Sequence, residues 1–237
     1  MKFVLNILVI CSFYSVQAQS INVAGIFPTI DHSGTITNKL DYGIYYFAAL
    51  PLVNLKNPNL SKDNYFHLLY LEQALTYKKS ENLSFTASYL YQRENVSYSN
   101  YVNENRIYLQ AKYKQNFTKF KLTHRFRFDG RFVQNRITSK SPFTSRVRYL
   151  IGFDKDLSDK YYLTLYEEAF FSTVNKAAPV YNENWAYLGL GKKLNVNNKI
   201  ELGILHVTWN IGEKNWFNQY YLQFTWINHI NFKKEQK

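Results

Sequence analysis

The feature that most restricts this chain is an alternation of period two, sustained over segments longer than ordinary strands. From Lys119 to Phe132, the residues Phe120, Leu122, Phe126, Phe128 and Phe132 share one parity, while Lys119, Lys121, Arg125, Arg127, Asp129 and Arg131 share the other. Successive side chains leave a strand on opposite sides, so this pattern makes one apolar and one charged face. Phe143, Val147, Tyr149, Ile151 and Phe153 alternate in the same way with Thr144, Arg146, Arg148 and Asp154. Ile107, Leu109, Ala111, Tyr113 and Phe117 do so with Glu104, Arg106, Gln110, Lys112 and Lys114. A helical period is hard to find anywhere.

Read coarsely, the pattern predicts ten strands near 36–50, 64–78, 83–94, 104–117, 119–132, 143–154, 161–172, 184–194, 198–211 and 216–232, with 19–33 left over. Strands of soluble sandwiches are commonly about five or six residues long, whereas a membrane-spanning strand needs about 9–11. Spanning strands must close on themselves, because hydrocarbon offers no partner to an open edge. The fold expected is therefore an all-β, antiparallel transmembrane barrel with its apolar parity toward lipid and its charged parity toward the lumen. Short turns at Lys79 to Asn82, at Thr118, at Lys155 to Lys160 and at Asn195 to Asn198 alternate with longer connections at Pro51 to Asp63, Asn95 to Asn103, Gln134 to Pro142 and Thr173 to Glu183. Outer-membrane barrels alternate short periplasmic turns with long outer loops in this way. That rule places both ends of the barrel in the periplasm, which suits ten strands and not eleven. Twelve strands are the alternative if Gln19 to Gly34 holds an extra pair, against which Pro28 and Gly34 argue.

Composition agrees with one exported domain. A chain of 237 residues fits a single domain. Its mean hydropathy of -0.37 excludes a bundle of spanning helices. With 19% charged and 18% aromatic residues it is not a disordered chain. Met1-Lys2, the apolar run Phe3 to Tyr14 and the small residues of Val16-Gln17-Ala18 form a signal peptide, residues 1–18, with cleavage before Gln19. A lipoprotein signal at Cys11 is the competing reading, but Ile10 is too large for the position before a lipidated cysteine. Cleavage removes the only cysteine, leaving no thiol for a disulfide, a zinc site or a nucleophile. It also lowers the formal charge from +12 to +11, of which the tail 233–237 holds +2. The remaining basic residues are spread among apolar ones instead of forming a block, so the expected contacts are outer-membrane lipid and lipopolysaccharide, not nucleic acid. The expected location is the outer membrane of a Gram-negative bacterium.

The last segment places Leu222, Phe224, Trp226, Ile230 and Phe232 on one parity. An amphipathic final strand with a near-terminal aromatic resembles the insertion signal read by the barrel-assembly machinery, a second expected partner. Further runs are His124-Arg125-Phe126-Arg127-Phe128, Arg146-Val147-Arg148-Tyr149, Tyr166 to Phe171, Asn182 to Gly191 and Ile200-Glu201-Leu202-Gly203. In these runs, from about Asn105 to Phe232, the chain resembles domain-of-unknown-function family 2490, a group of outer-membrane proteins with no assigned activity. The resemblance implies a barrel without implying a reaction. The chain departs from the family at Trp185, where Arg is common, so a charge pairing through that position does not carry over.

Chemistry is to be sought on the inward parity. Arg106, Arg125, Arg127, Arg146 and Arg148 come from three successive strands, and Glu104, Asp129, Glu168 and Glu201 are placed to face them. Such a cluster either attracts anions, since Arg presents a fixed fork of donors, or fills a narrow lumen with mutually paired charges. Pairing is the expected arrangement, and the expected role is small-solute passage or envelope interaction. A lipid-modifying acyl hydrolase or acyltransferase is the alternative, and it needs a Ser activated by a base. His32, His67, His124, His206 and His229 are available, with His67 and His124 the candidates, but none lies two residues from a Ser on the same face. No His, Asp and Glu cluster has ligand spacing, so no metal or cofactor is expected. A secreted soluble barrel that holds a ligand would invert the faces and put Phe120 to Phe132 inside.

Overall fold

The computed structural model describes residues 21–54, 68–95, 101–135, 137–173, 180–212 and 215–232. The expected signal peptide, its cleavage site, His67 and the tail 233–237 lie outside the described residues. Among the described residues are eleven strands: β1 (Ile21–Thr35), β2 (Leu40–Asn54), β3 (Leu68–Lys78), β4 (Leu83–Glu94), β5 (Val102–Asn116), β6 (Lys121–Val133), β7 (Phe143–Asp156), β8 (Tyr161–Ser172), β9 (Val180–Lys193), β10 (Asn198–Gly212) and β11 (Asn215–Asn231). They close into one barrel in chain order. Every neighbouring pair is antiparallel except β1 and β11, which run parallel in register from Ile21 opposite Phe217 to Thr35 opposite Asn231.

Eleven strands correct the count of ten and the parity argument that excluded eleven. That argument took every pair to be antiparallel, and a single parallel pair is what lets an odd number close. The extra strand occupies the segment left unassigned. It lacks the usual signal because it is apolar on both faces: Val23 and Phe27 are buried inside while Ile26 and Ile30 are exposed outside. Pro28 sits beside a gap in the β1–β2 ladder, whose register pairs stop at Ile26 and resume at Thr29, which suits a residue without an N–H. At the bulge beside it, Gly25 admits no side chain, since a Cβ there would overlap the Leu50 carbonyl.

β4 and β8 coincide with the predicted segments, and others shift by a few residues. β2 begins at Leu40 instead of residue 36 because Ile36 and Thr37 both donate to the Leu40 carbonyl in a tight turn. Lys79 and Ser80 close on Leu83, Leu157 and Ser158 on Tyr161, and Leu194 and Asn195 on Asn198 in the same manner. The turn expected at Thr118 occupies 117–120, where the Phe117 and Phe120 rings stack at 4.6 Å. These short turns share one end of the barrel. The strand ends Asn54, Leu68, Glu94, Val102, Val133, Phe143, Ser172 and Val180 lie at the other end, together with those of β10 and β11, which are separated by only two residues in sequence and so depart from the expected alternation.

The two faces follow the sequence parity. Leu109 (62% exposed), Ile204 (59%) and Phe126 (54%) stand on the outer wall, while Arg106, Arg127 and Asp129 are buried within. Leu222, Phe224, Trp226, Ile230 and Phe232 are likewise exposed on the outside. Phe126, Phe128 and Phe132 point outward, the reverse of what a soluble ligand-holding barrel requires. Inside, rings from four adjacent strands stack across the closing seam: Tyr221 lies 5.4 Å from Phe27, Phe27 4.5 Å from Phe47, and Phe47 4.3 Å from Tyr70. Leu90, Tyr187, Leu205 and Val207 complete this apolar cluster. Gly191 on β9 leaves the space that the Tyr162 ring occupies.

Candidate functional site in the barrel lumen

Much of the remaining lumen is lined by charge. Strand alternation puts Glu104 and Arg106 on the inner side of β5, Arg125, Arg127, Asp129 and Arg131 on that of β6, and Arg146 and Arg148 on that of β7. Their registers set cations directly opposite each other: Arg106 faces Arg131, Arg127 faces Arg148, and Lys112 faces Arg125. Like charges so placed repel, and the structure meets this with carboxylates that bridge. Glu104 takes Arg106 Nε at 2.7 Å and both Nε and Nη2 of Arg131 at 2.8 and 2.7 Å. Glu168 takes Arg148 through two parallel hydrogen bonds of 2.8 Å and Arg125 Nη2 at 2.7 Å. Asp129 lies at the centre, 2.7 Å from Arg146 Nε and 3.6 and 3.7 Å from Arg106 and Arg148. Bidentate guanidinium–carboxylate pairs are strong and fix orientation as well as distance, which suits a packed lumen.

Arg127 is satisfied differently. Its Nε and Nη2 donate to Gln110 Oε1 at 3.0 and 2.8 Å, its guanidinium lies 3.7 Å above the Tyr108 ring, and Glu72 stands 3.7 Å away. Tyr70 and Tyr108 both donate to Glu72. Arg146 also reaches Glu183 at 2.9 Å, and Arg146 and Arg148 flank the Phe170 ring at 4.7 and 4.3 Å. Gln92 accepts from Arg106, so every strand from β3 to β9 contributes to one network.

Eight of the nine charged residues expected in the lumen cluster are in this network. Glu201 is not: it accepts from the Tyr187 hydroxyl at 2.7 Å, because β10 lies three strands away from β7 around the wall. Arg131, Glu72 and Glu183 belong to the network and were not among the residues singled out from sequence. The parity of Arg131 was already visible in the alternation from Lys119 to Phe132. Glu183 was hidden by a boundary, since β9 starts at Val180 and not at 184. Trp185 reaches Glu183 without a charge, donating its indole N–H at 2.7 Å.

Two cavities flank the network. One of about 770 Å³ has a lining that extends from Glu94 and Asn182, near the long connections, to Asp41 and Thr76, near the short turns. The other, of about 780 Å³, opens among Lys114, Lys121, Lys155 and Lys199 at the turn end. Asp31, Tyr45 and Tyr166 border both.

The four described histidines divide between the faces. His124 contacts the Tyr149 hydroxyl at 2.8 Å on the outer wall, and His206 stacks on Tyr220 at 4.7 Å. His32 bridges Asn228 and Tyr42. His229 does stand beside a serine, with Nδ1 2.9 Å from Ser33 Oγ and Nε2 3.1 Å from Thr35 Oγ1. Local spacing had no means of revealing this contact, because Ser33 and His229 are register partners across the parallel seam. Among the described residues no group of His, Cys, Asp and Glu is arranged to hold a metal ion.

A sequence profile described as protein of unknown function (DUF2490) matches residues 55–232, the stretch that carries β3 to β11. The chain belongs to this family. Comparison with curated proteins yields no match.

Proposed function

We propose that this DUF2490 protein is an outer-membrane β-barrel, with its short turns in the periplasm and its long connections outside, whose braced lumen limits passage to small solutes. The observation that carries this reading is the inverted distribution of polarity. An apolar belt covers the outer wall on every strand, and charges are gathered within. Soluble proteins seldom expose a continuous apolar surface beyond a few hundred Å², so a belt of this kind has hydrocarbon as its natural solvent. The strands, of 11 to 17 residues, are long enough to cross. The network brings six arginines and five carboxylates into the lumen, which favours small-solute passage or a structural role in the envelope over a wide pore.

Fractionation tests location: the mature chain is expected in the outer membrane, migrating faster unheated than boiled, and recovery from the soluble periplasm would overturn the proposal. With the sole cysteine in the expected signal peptide, a cysteine at Asn135 should react with an impermeant reagent on whole cells, and one at Asn82 or Asn197 should not. Replacing Trp226 and Phe232 with Asp should block assembly and leave export intact.

One contact favours a second reading. Ser33, hydrogen-bonded to His229, lines the larger-reaching lumen cavity, as the hydroxyl of an acyl hydrolase or acyltransferase would. Both ring nitrogens of His229 are engaged by hydroxyls, so no carboxylate orients the base. Labelling by a fluorophosphonate that disappears in Ser33→Ala would support the enzyme; an unlabelled wild-type protein would remove it.

A further inference from the structure

Deep in the lumen, opposed cations obey a rule. Arg106 and Arg131 share Glu104, while Arg127 stands by Glu72 and Arg148 pairs with Glu168. One opposed pair breaks it. Lys112 and Arg125 face each other across β5 and β6, and Arg125 pairs with Glu168, but among the described residues Lys112 has no ion-pair partner. Asp31 lines the same cavity and makes no ion pair with it. Arg125 is itself incompletely satisfied, because its Nε is buried without a hydrogen-bond partner. A half-buried ammonium opposite a guanidinium carries a repulsion that the fold relieves at the neighbouring opposed pairs with a carboxylate for each cation.

We propose that the 770 Å³ cavity binds an oxyanion, a carboxylate or phosphate group of a small molecule, between Lys112 and Arg125. The bound group supplies the bridge that Glu104 makes between Arg106 and Arg131. It accepts from the Lys112 ammonium and from the Arg125 guanidinium, both of which line this cavity together with Tyr45 and Tyr166. The volume is that of an ordinary small-molecule site. This site does not depend on where the barrel resides, so failed membrane fractionation would leave its test intact.

The test is thermal unfolding of the full chain, purified in detergent, in sodium phosphate, sodium succinate and sodium chloride at equal ionic strength. A ligand that binds only the folded state raises Tm by mass action. Phosphate or succinate should raise it saturably, by about 2–4 °C or more, relative to chloride. A response to phosphate alone identifies a phosphate site, and a response to succinate alone a carboxylate site. Lys112→Gln should lose the saturable rise while matching or exceeding the wild-type Tm in chloride, since it removes a repulsion. Arg125→Lys, which keeps a charge for Glu168 but removes the guanidinium fork, should bind at least tenfold more weakly. The proposal fails if wild type shows no saturable rise or if the rise survives unchanged in both variants. A lower Tm for Lys112→Gln in chloride also overturns it, because Lys112 would then be balancing an internal carboxylate.

Discussion

Between β3 and β9 the inner wall carries six arginines and five carboxylates in one hydrogen-bonded network. On the other side, through β10, β11, β1 and β2, the same wall is organised around stacked rings and aliphatic side chains, with Glu201 and several neutral polar residues beside them. The two sectors solve different problems. An ion-pair network tolerates little error, because each guanidinium must meet its carboxylate within a few tenths of an ångström and at a set angle. It is built where adjacent strands are joined directly along the chain, so that register is fixed locally. The closing seam joins strands nearly two hundred residues apart in sequence. There the contact is made by rings whose attraction is largely non-directional and survives small displacements.

The largest expected effect breaks the first sector at its centre. Asp129 is fully buried among Arg106, Arg146 and Arg148. Asp129→Ala should lower unfolding stability in urea by about 3–5 kcal/mol, because charges are left uncompensated. Adding Arg146→Met should restore part of it. If Arg146→Met alone left stability unchanged and lost anion preference in bilayer conductance, the arginines would instead be the lining of an open pore.

The next effect tests the second sector. Phe47, 2% exposed and stacked on both Phe27 and Tyr70, should cost about 3 kcal/mol when replaced by Ala. Combined with Asp129→Ala, the losses should add to within about 0.5 kcal/mol. A clear departure from additivity, measured by the same urea titration, would show the sectors to be one cooperative unit.

The smallest effect lies at the turn-end rim. Lys193 pairs with Asp156 at 2.7 Å, but both are substantially exposed. Lys193→Ala should change stability by less than about 0.5 kcal/mol, and that change should vanish in 1 M salt.

The two sectors also differ in how far the sequence discloses them. Period two is legible only where the faces contrast, as at Arg125, Phe126, Arg127 and Phe128. That contrast made β5 to β8 and most of the charge cluster visible. In β1, Val23 and Phe27 face in while Ile26 and Ile30 face out, and with both faces apolar the period carries no signal. Pairing across the seam, and with it the Ser33–His229 contact, is a property of closure and leaves no local trace. Glu201 erred for a related reason: its parity is right, but parity says nothing about which strand lies opposite across the lumen.

The parallel seam has a mechanical consequence. Because β1 and β11 run in the same direction, the first residue of one and the last of the other lie at opposite ends of the barrel. Tension applied between them pulls the strands past each other along their length, loading all the register pairs from Ile21–Phe217 to Thr35–Asn231 at once. An antiparallel closure would put both ends on one rim, and the same pull would open hydrogen bonds one after another. Pulled by its ends, this barrel resists in shear, and its rupture force is set by the whole ladder instead of by its weakest rung.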